Sequence, residues 1–259
     1  MIRLSQILEE VKNPPKALIL AGAPGAGKGF ILKGIDLSKY KVYNLDNEFI
    51  NLLNQSNISL DLKNLDKEKR SEAAKLMAQA YNKLKNEQIP KAIENKESFI
   101  LDGTASSENQ TLLLKKELEE KGYKVYMLYV YADLELALKQ NQDRFEKSGG
   151  KDRSLQPSIV MRTWNKVTSN YPKYREMFGS NLITVSNTGD KPSLKDLDII
   201  SSKYIKPFSH SDAVQKTDPE KLKQFYDEVK ELLSSDKIQD IINSSVSREE
   251  AQKQIKSIL

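Results

Sequence analysis

The 259-residue sequence predicts an α/β fold, a three-layer sandwich with a five-stranded, mostly parallel sheet and a C-terminal helical tail. Three observations lead to this prediction. Short apolar runs alternate with segments of helical periodicity, a glycine-rich turn follows the first run directly, and the alternation stops near residue 206. Such alternation is typical of βαβ units, in which helices cover both faces of parallel strands.

Five apolar runs are the predicted strands. Each has the length of a buried strand, and the fourth is apolar enough to be covered by helices on both faces. The runs occupy residues 16–21, 41–45, 98–101, 125–130 and 182–185.

Helical segments fill the intervals between the strands. Ser107 and Gln110 have the spacing of a capping box, and Gly122 follows as the end of that helix. Proline breaks or kinks the helical pattern at Pro90 and interrupts it at Pro172. We expect helices over about 66–95, 107–121, 134–145 and 157–178.

The two ends of the chain are also predicted to be helical. A helix over 4–12 belongs to a domain of residues 1–206, a polar linker spans 207–216, and a helical tail spans 217–259. We expect this tail to be separable from the domain. Its apolar stripes need either the domain or a protein partner to cover them, and docking on the domain is the commoner outcome.

Composition excludes several classes of protein. The chain has no cysteine and one histidine, which excludes disulfides and thiolate metal sites and argues against a histidine metal site or a catalytic triad. No apolar run approaches the roughly 18 residues of a membrane span, and the N-terminus lacks the apolar core of a signal peptide. We therefore expect a cytoplasmic protein without a membrane partner. The net charge of +5 is mild and dispersed, so a nucleic-acid partner is not favoured.

The strongest functional signal follows the first strand. In the segment GAPGAGKGF, glycines permit a tight loop whose amides converge on phosphate oxygens, and Lys28 adds a positive charge near the β- and γ-phosphates. The next helix contributes its N-terminal amides. The segment therefore predicts a P-loop that binds ATP or GTP through Gly22, Ala23, Pro24, Gly25, Ala26, Gly27, Lys28, Gly29 and Phe30.

Two aspartates that follow later strands complete a predicted phosphotransfer site. Asp46 follows the second strand, where it can accept a proton from a substrate hydroxyl, and its alternative role is to cap the next helix. Asp102 ends the third strand and is suited to hold Mg²⁺ directly or through water, with a strand-end turn as its alternative. Thr104 offers a hydroxyl two residues later. We predict that all three residues contact the substrate.

Three arginines follow the fourth strand. Arg144 lies near the end of a helix, Arg153 lies in the glycine-hinged segment 148–156, and Arg162 lies on the next helix. A segment of this kind can close over phosphates and stabilise the charge that develops during transfer. Each arginine alone could equally be an ordinary surface ion pair.

Residues 16–190 resemble the zeta-toxin-like group of P-loop kinases. The resemblance implies a P-loop kinase fold and phosphorylation of a sugar-nucleotide hydroxyl, with Asp46 as the base and arginines around the phosphates. The chain departs from the family pattern at Asp102, where Glu is usual. The loop itself resembles the adenylate-kinase variant of the P-loop, in which Thr stands in place of Phe30. The motifs that carry the resemblance are, in chain order, GAPGAGKG, Asn44-x-Asp46, Asp102-Gly-Thr104, Arg144, Gly150-Lys-Asp-Arg153, Arg162 and a last strand that ends at Asn187.

The expected function is an ATP- or GTP-dependent phosphotransferase that uses Mg²⁺ and acts on a hydroxyl of a small molecule. A sugar nucleotide is the acceptor that the resemblance implies. Two alternatives stay open: a kinase for nucleic-acid 5′-hydroxyls, and a non-catalytic nucleotide-binding module that assembles through its C-terminal helices. Phe30 favours the second alternative, because the loop lacks a hydroxyl there. The predicted catalytic residues are Lys28, Asp46, Arg144, Arg153 and Arg162.

Overall fold

The five predicted strands form one fully parallel sheet. The computed structural model describes residues 14–187 and 248–258, and within them the strand order is β2-β3-β1-β4-β5. The α/β prediction is therefore confirmed. The strands are β1 (Lys16–Ala21), β2 (Lys41–Asn44), β3 (Phe99–Asp102), β4 (Lys124–Tyr131) and β5 (Leu182–Ser186).

Nine α-helices of the described residues connect or cover these strands. A π-helical turn, Leu84–Gln88, joins α3 to α4, and short 3₁₀ turns span Leu62–Asn64 and Gly179–Asn181. The helices are α1 (Lys28–Leu32), α2 (Leu45–Gln55), α3 (Lys67–Lys83), α4 (Ile89–Glu94), α5 (Glu108–Glu120), α6 (Leu134–Lys147), α7 (Pro157–Ser169), α8 (Tyr171–Phe178) and α9 (Arg248–Ile258).

The helices form two layers, one on each face of the sheet. On one face, α4 to α8 pack on alternate strand residues such as Phe99, Met127 and Tyr129. On the other face, α1 and α9 pack on the intervening residues, among them Leu20 and Leu128. Strand β4 is therefore buried on both faces from its second residue onwards, as its apolar composition predicts.

The structure differs from the sequence prediction at three helix boundaries. Leu45 begins α2 and does not continue β2, because Asn44 caps the helix. The chain passes Pro90 without a break, since the proline lies in the first turn of α4, where its missing N–H is not needed. Ser107 precedes α5 as predicted but makes no capping bond through its side chain; Thr111 Oγ1 instead donates to the Ser107 carbonyl at 2.9 Å.

The last helix docks on the domain. Ala251 and Ile255 are buried beside β5 and α1. Gln252 Nε2 donates to the carbonyl of Ile31 at 3.2 Å, and Lys16 Nζ donates to the carbonyl of Ile258 at 2.5 Å. The buried apolar positions of α9 therefore pack on the chain's own sheet and on α1.

Part of the predicted organisation lies outside the described residues. This holds for the helix over 4–12, the linker over 207–216 and the tail residues 217–247. The division into a domain of residues 1–206 and a tail consequently stays a prediction. Among the helices of the described ranges, none combines the length and apolar character that crossing a bilayer requires.

Candidate active site

The glycine-rich segment forms a tight loop between β1 and α1, at the carboxyl end of the sheet. Two of its glycines have backbone angles that disfavour any other residue, with φ of +81° at Gly25 and +91° at Gly27. A Cβ atom at Gly25 would lie 2.2 Å from the carbonyl oxygen of Ala137, and one at Gly27 would lie 2.4 Å from Nδ2 of Asn187. The loop therefore packs too closely on its neighbours for side chains at these positions.

Asn187 holds the loop from the end of β5. Its Nδ2 donates to the carbonyl of Ala26 at 2.9 Å, and its backbone N–H donates to the carbonyl of Tyr131 at 2.7 Å. The side chain is buried, and Oδ1 has no hydrogen-bond partner among the described residues. Asn187 thus ties the phosphate loop to both last strands of the sheet.

The loop after β3 holds the other side of the P-loop. The N–H of Gly22 donates to the carbonyl of Thr104 at 3.1 Å. Helix α8 fixes this second loop, since the Tyr174 hydroxyl donates to the Ala105 carbonyl and Asn170 Nδ2 donates to the Ser106 carbonyl at 3.2 Å. Thr104 therefore supports the phosphate loop through its backbone, and its predicted contact with substrate stays a prediction.

Lys28, the predicted phosphate lysine, folds back over the loop. Its Nζ donates to the carbonyls of Gly22 at 2.8 Å and Ala23 at 3.1 Å. Burial lowers the pKa of Lys28 to about 8, although the nearby carboxylates of Asp102 and Asp46 oppose this shift. The ammonium is held against two carbonyls of the loop, and an anionic ligand beside it would favour its charged form.

Asp102 and Asn44 lie side by side at the ends of β3 and β2. They are register partners in the sheet, and Asn44 Nδ2 donates to Asp102 Oδ2 at 2.6 Å. Burial raises the pKa of Asp102, and the neighbouring Lys28 opposes the rise. The amide of Asn44 therefore orients a carboxylate that faces the lysine of the phosphate loop.

Asp46 lies in the first turn of α2 and does not cap it, so the alternative N-cap role is wrong. The cap is Asn44, whose Oδ1 accepts from the N–H of Asn47 at 3.0 Å. The strand accordingly ends at Asn44, two residues before Asp46. Because the cap is already made, the carboxylate of Asp46 is available for another role, and its side chain is 41% exposed.

Arg153 reaches Asp46 from the segment between α6 and α7. Its Nη2 lies 2.5 Å from Asp46 Oδ2, and the arginine is only 6% exposed. The guanidinium Nε is buried without a hydrogen-bond partner among the described residues. A buried donor of this kind is costly unless an acceptor meets it, and a phosphate oxygen is a suitable acceptor.

The other two predicted arginines differ in their placement. Arg144 lies close enough to lower the pKa of both Lys28 and Asp102 through its positive charge. Its Nε is 3.6 Å from Asp152 Oδ2. Arg162 is half-buried on α7, and no hydrogen bond or ion pair found in the described ranges links it to the P-loop. The structure therefore brings Arg144 and Arg153 to the candidate site, and the predicted role of Arg162 stays a prediction.

The donor set fits a nucleotide with Mg²⁺. Within 14–187 and 248–258 there is no group of three acidic, histidine or cysteine side chains that could hold a metal by themselves. Mg²⁺ does not need such a group, because it is commonly bound by one or two carboxylates together with substrate phosphates. Asp102 supplies one such carboxylate beside the loop. Phe30 adds no oxygen ligand, and its side chain is 57% exposed.

Several contacts of the site were not predicted from the sequence. Asn44 and Asn187 belong to the quoted motifs, yet neither was assigned a role in orienting Asp102 or the loop. Asp61 and Ser154 hold the Arg153 segment, and neither belongs to any of the quoted motifs. The only sequence signal for Asn44 and Asn187 is their position at the carboxyl end of a strand, which is where ligands bind in parallel sheets.

Comparisons with known proteins agree with this fold. The family described as Zeta toxin matches residues 4–198. The solved structure of AvrRxo1-ORF1:-ORF2 with ATP is 16% identical, has a TM-score of 0.53, and the match covers 97% of this chain and 83% of that chain. A structure of the PezAT chromosomal toxin–antitoxin system of Streptococcus pneumoniae is 15% identical, with a TM-score of 0.49 over 85% of this chain and 88% of that one. No curated protein matches the sequence. At such identities a structural match shows the fold alone.

Proposed function

This chain belongs to the zeta toxin family, and we propose that it transfers the γ-phosphoryl group of ATP or GTP to a hydroxyl of a small molecule. The observation that supports this most is the Asp46–Arg153 pair beside Asp102 and the P-loop. A group that can take a proton and a group that can bind phosphate lie together at the carboxyl edge of the sheet, where parallel folds bind ligands.

In this proposal, different residues bind the phosphates, offset their charge and accept the proton. The loop amides and Lys28 hold the β- and γ-phosphates, and Arg153 and Arg144 offset the charge on the transferred group. Asp46 accepts the proton of the acceptor hydroxyl as its oxygen attacks the γ-phosphorus. A new oxygen–phosphorus bond forms, the bond from the γ-phosphorus to the bridging oxygen breaks, and a nucleoside diphosphate leaves.

Asp102 is the residue proposed to hold Mg²⁺. When bound, the ion would neutralise charge on the phosphates. Asn44 would keep one carboxylate oxygen of Asp102 oriented through the 2.6 Å hydrogen bond. ATP is the first nucleotide to test, because the AvrRxo1-ORF1:-ORF2 structure of the same fold was solved with it.

A sugar nucleotide is the proposed acceptor, on the basis of the family resemblance. We would incubate the protein with labelled ATP or GTP, Mg²⁺ and three acceptor sets: nucleotide sugars, a metabolite extract and an oligonucleotide pool. Mass spectrometry would identify any labelled product, and Lys28→Met would serve as the inactive control. A labelled nucleotide sugar supports the proposal, whereas a labelled oligonucleotide 5′ end would establish the nucleic-acid kinase instead.

One observation favours the non-catalytic alternative. Phe30 occupies the position of the hydroxyl residue of related loops, and it is 57% exposed. Nucleotide binding without transfer to any of the three acceptor sets would support a binding module. Transfer that requires Asp46 would reject it.

A further inference from the structure

The segment that carries Arg153 is fastened to the protein at a second point. Ser154 Oγ donates to Asp61 Oδ1 at 2.6 Å, and the Ser154 N–H donates to the carbonyl of Leu60 at 2.9 Å. Asp61 and Ser154 also form an isolated parallel bridge between their backbones. Ser154 is only 2% exposed, so this contact is part of the protein interior.

The carboxylate of Asp61 is itself held in a fixed orientation. Its Oδ2 accepts from Nδ2 of Asn64 at 2.6 Å, which leaves Oδ1 directed at Ser154. The N–H of Asp61 donates to Ser59 Oγ at 3.1 Å. Both carboxylate oxygens of Asp61 are therefore engaged, one within its own loop and one on the Arg153 segment.

Two neighbouring residues of the segment, Arg153 and Ser154, are thus each bound by an aspartate, one at the start of α2 and one after its end. Asp46, in the first turn of that helix, pairs with Arg153, and Asp61, in the loop after it, binds Ser154. The Arg153 segment, residues 148–156, has no helix or strand of its own to fix it, and Gly149 and Gly150 near its start have positive φ angles of 62° and 77°. These side-chain contacts hold the segment together with two bonds to its backbone, from the Ser154 N–H to the Leu60 carbonyl and from Asn141 Nδ2 to the Leu155 carbonyl.

We propose that Asp61 is a positioning residue for phosphoryl transfer, which acts by holding Ser154 and so aiming Arg153 at Asp46 and the phosphates. This inference rests on the proposed function. A guanidinium must be placed within a fraction of an ångström to stabilise a transferring phosphoryl group, and a displacement of about 1 Å can cost on the order of 10²-fold in rate. Asp61 touches neither nucleotide nor acceptor in this scheme.

The test compares Asp61→Ala with Asp61→Asn. Alanine removes the acceptor oxygen, whereas asparagine keeps one for the Ser154 hydroxyl. Asp143→Ala is the matched control, because the ion pair that Asp143 makes within the described residues is with Lys147 on the surface of α6. We expect single-turnover transfer at saturating ATP to fall roughly 10- to 100-fold in the alanine variant, with asparagine restoring most of the rate and the control unchanged.

A second readout does not depend on the acceptor. Trypsin cleaves after arginine in accessible segments, and Arg153 is buried in the parent protein. Asp61→Ala should speed cleavage between Arg153 and Ser154 by about 10-fold or more, because the segment opens when its anchor is lost. The fluorescence of Trp164, the single tryptophan and a core residue, would show that the rest of the domain stays folded.

The outcomes separate this inference from the proposed function. If the parent transfers no phosphoryl group, the function fails, while the cleavage rates still report whether Asp61 holds Arg153. Unchanged cleavage and unchanged transfer in Asp61→Ala would overturn the positioning role, as would an asparagine variant as impaired as alanine in both. Should the alanine variant fail to fold, Ser154→Ala replaces it, since it removes only the hydroxyl and keeps the backbone bond to Leu60.

Discussion

Arg153 Nη2 lies 2.5 Å from Asp46 Oδ2, so the predicted base and a predicted phosphate ligand are direct partners. The pair joins the first turn of α2 to the segment between α6 and α7. Because the Asp46 side chain is still 41% exposed, a substrate hydroxyl can reach it beside the arginine. This arrangement couples the placement of the predicted base to the placement of the predicted phosphate ligand.

Asp46→Asn tests the base directly. Asparagine cannot take the hydroxyl proton, so transfer should fall by roughly 10²–10⁴ while ATP affinity stays near that of the parent. The helix cap is unaffected, because Asn44 and not Asp46 caps α2, so any loss of stability reports the weakened pair with the buried Arg153. Single-turnover transfer and calorimetric ATP binding check these two expectations, and near-parental transfer would leave Asp46 without a catalytic role.

Asn44→Ala is the companion variant for the cap. It removes the hydrogen bond to the N–H of Asn47 and should lower the free energy of unfolding by about 1 kcal/mol. Its effect on transfer reports the loss of the contact with Asp102 and not the loss of a base. Denaturant unfolding of Asn44→Ala and Asp46→Asn distinguishes the contribution of the Asn44 cap to stability from that of Asp46.

Lys28→Met should weaken ATP binding by about 10- to 100-fold, since a charged hydrogen bond to phosphate contributes about 1.5–3 kcal/mol. AMP binding should change much less, because Lys28 is expected near the β- and γ-phosphates. Calorimetry with both nucleotides tests this difference. Equal ATP affinity in the variant and the parent would contradict the assignment of the loop.

ATP binding should also depend on pH through Lys28. Burial lowers its pKa to about 8, so Lys28 is mostly neutral above that pH in the protein without nucleotide. Bound phosphates favour its charged form. Binding at about pH 9 should therefore take up a proton, and ATP affinity should fall as the pH rises through 8. Calorimetry in two buffers of different ionisation enthalpy measures the uptake. Proton uptake that persists in Lys28→Met would assign it to another group.

Asn187→Ala should loosen the phosphate loop. The variant loses the bond to the Ala26 carbonyl, and we expect about 10-fold weaker ATP binding with a stability loss of about 1–3 kcal/mol. Asn181→Ala is a matched control, because Asn181 Nδ2 donates to the Val125 carbonyl at 3.2 Å, away from the loop. The control should lose stability without losing ATP affinity, and an equal affinity loss in both would point to a general effect on the sheet.

Ile255→Ala tests how much the last helix contributes to the core. Ile255 is 1% exposed, so truncation should lower the free energy of unfolding by about 2–5 kcal/mol. Lys253→Ala, on the exposed face of the same helix, should change it by less than about 0.5 kcal/mol. Urea unfolding measures both. A neutral Ile255→Ala would mean that α9 leaves the domain in solution and that the tail is separable, as the sequence predicts.

The sequence by itself determined the fold class, the strand positions within about two residues, the phosphate loop and the family. These features are local: apolar runs predict buried strands, and the spacing of glycines and Lys28 predicts a loop for phosphate. The sequence also supplied the candidates Asp46, Asp102 and Arg153, because strand ends converge at one edge of a parallel sheet.

Only the tertiary structure decided which candidate site residues contact each other and which other residues fix their positions. It paired Arg153 with Asp46, whereas no hydrogen bond or ion pair of the described residues links Arg162 to the P-loop, although Arg144, Arg153 and Arg162 all follow β4. It also joined Ser154 to Asp61 across 93 residues of chain. The physical reason is that hydrogen bonds between distant residues depend on how helices and loops pack in three dimensions, and no local pattern of residue types encodes that packing.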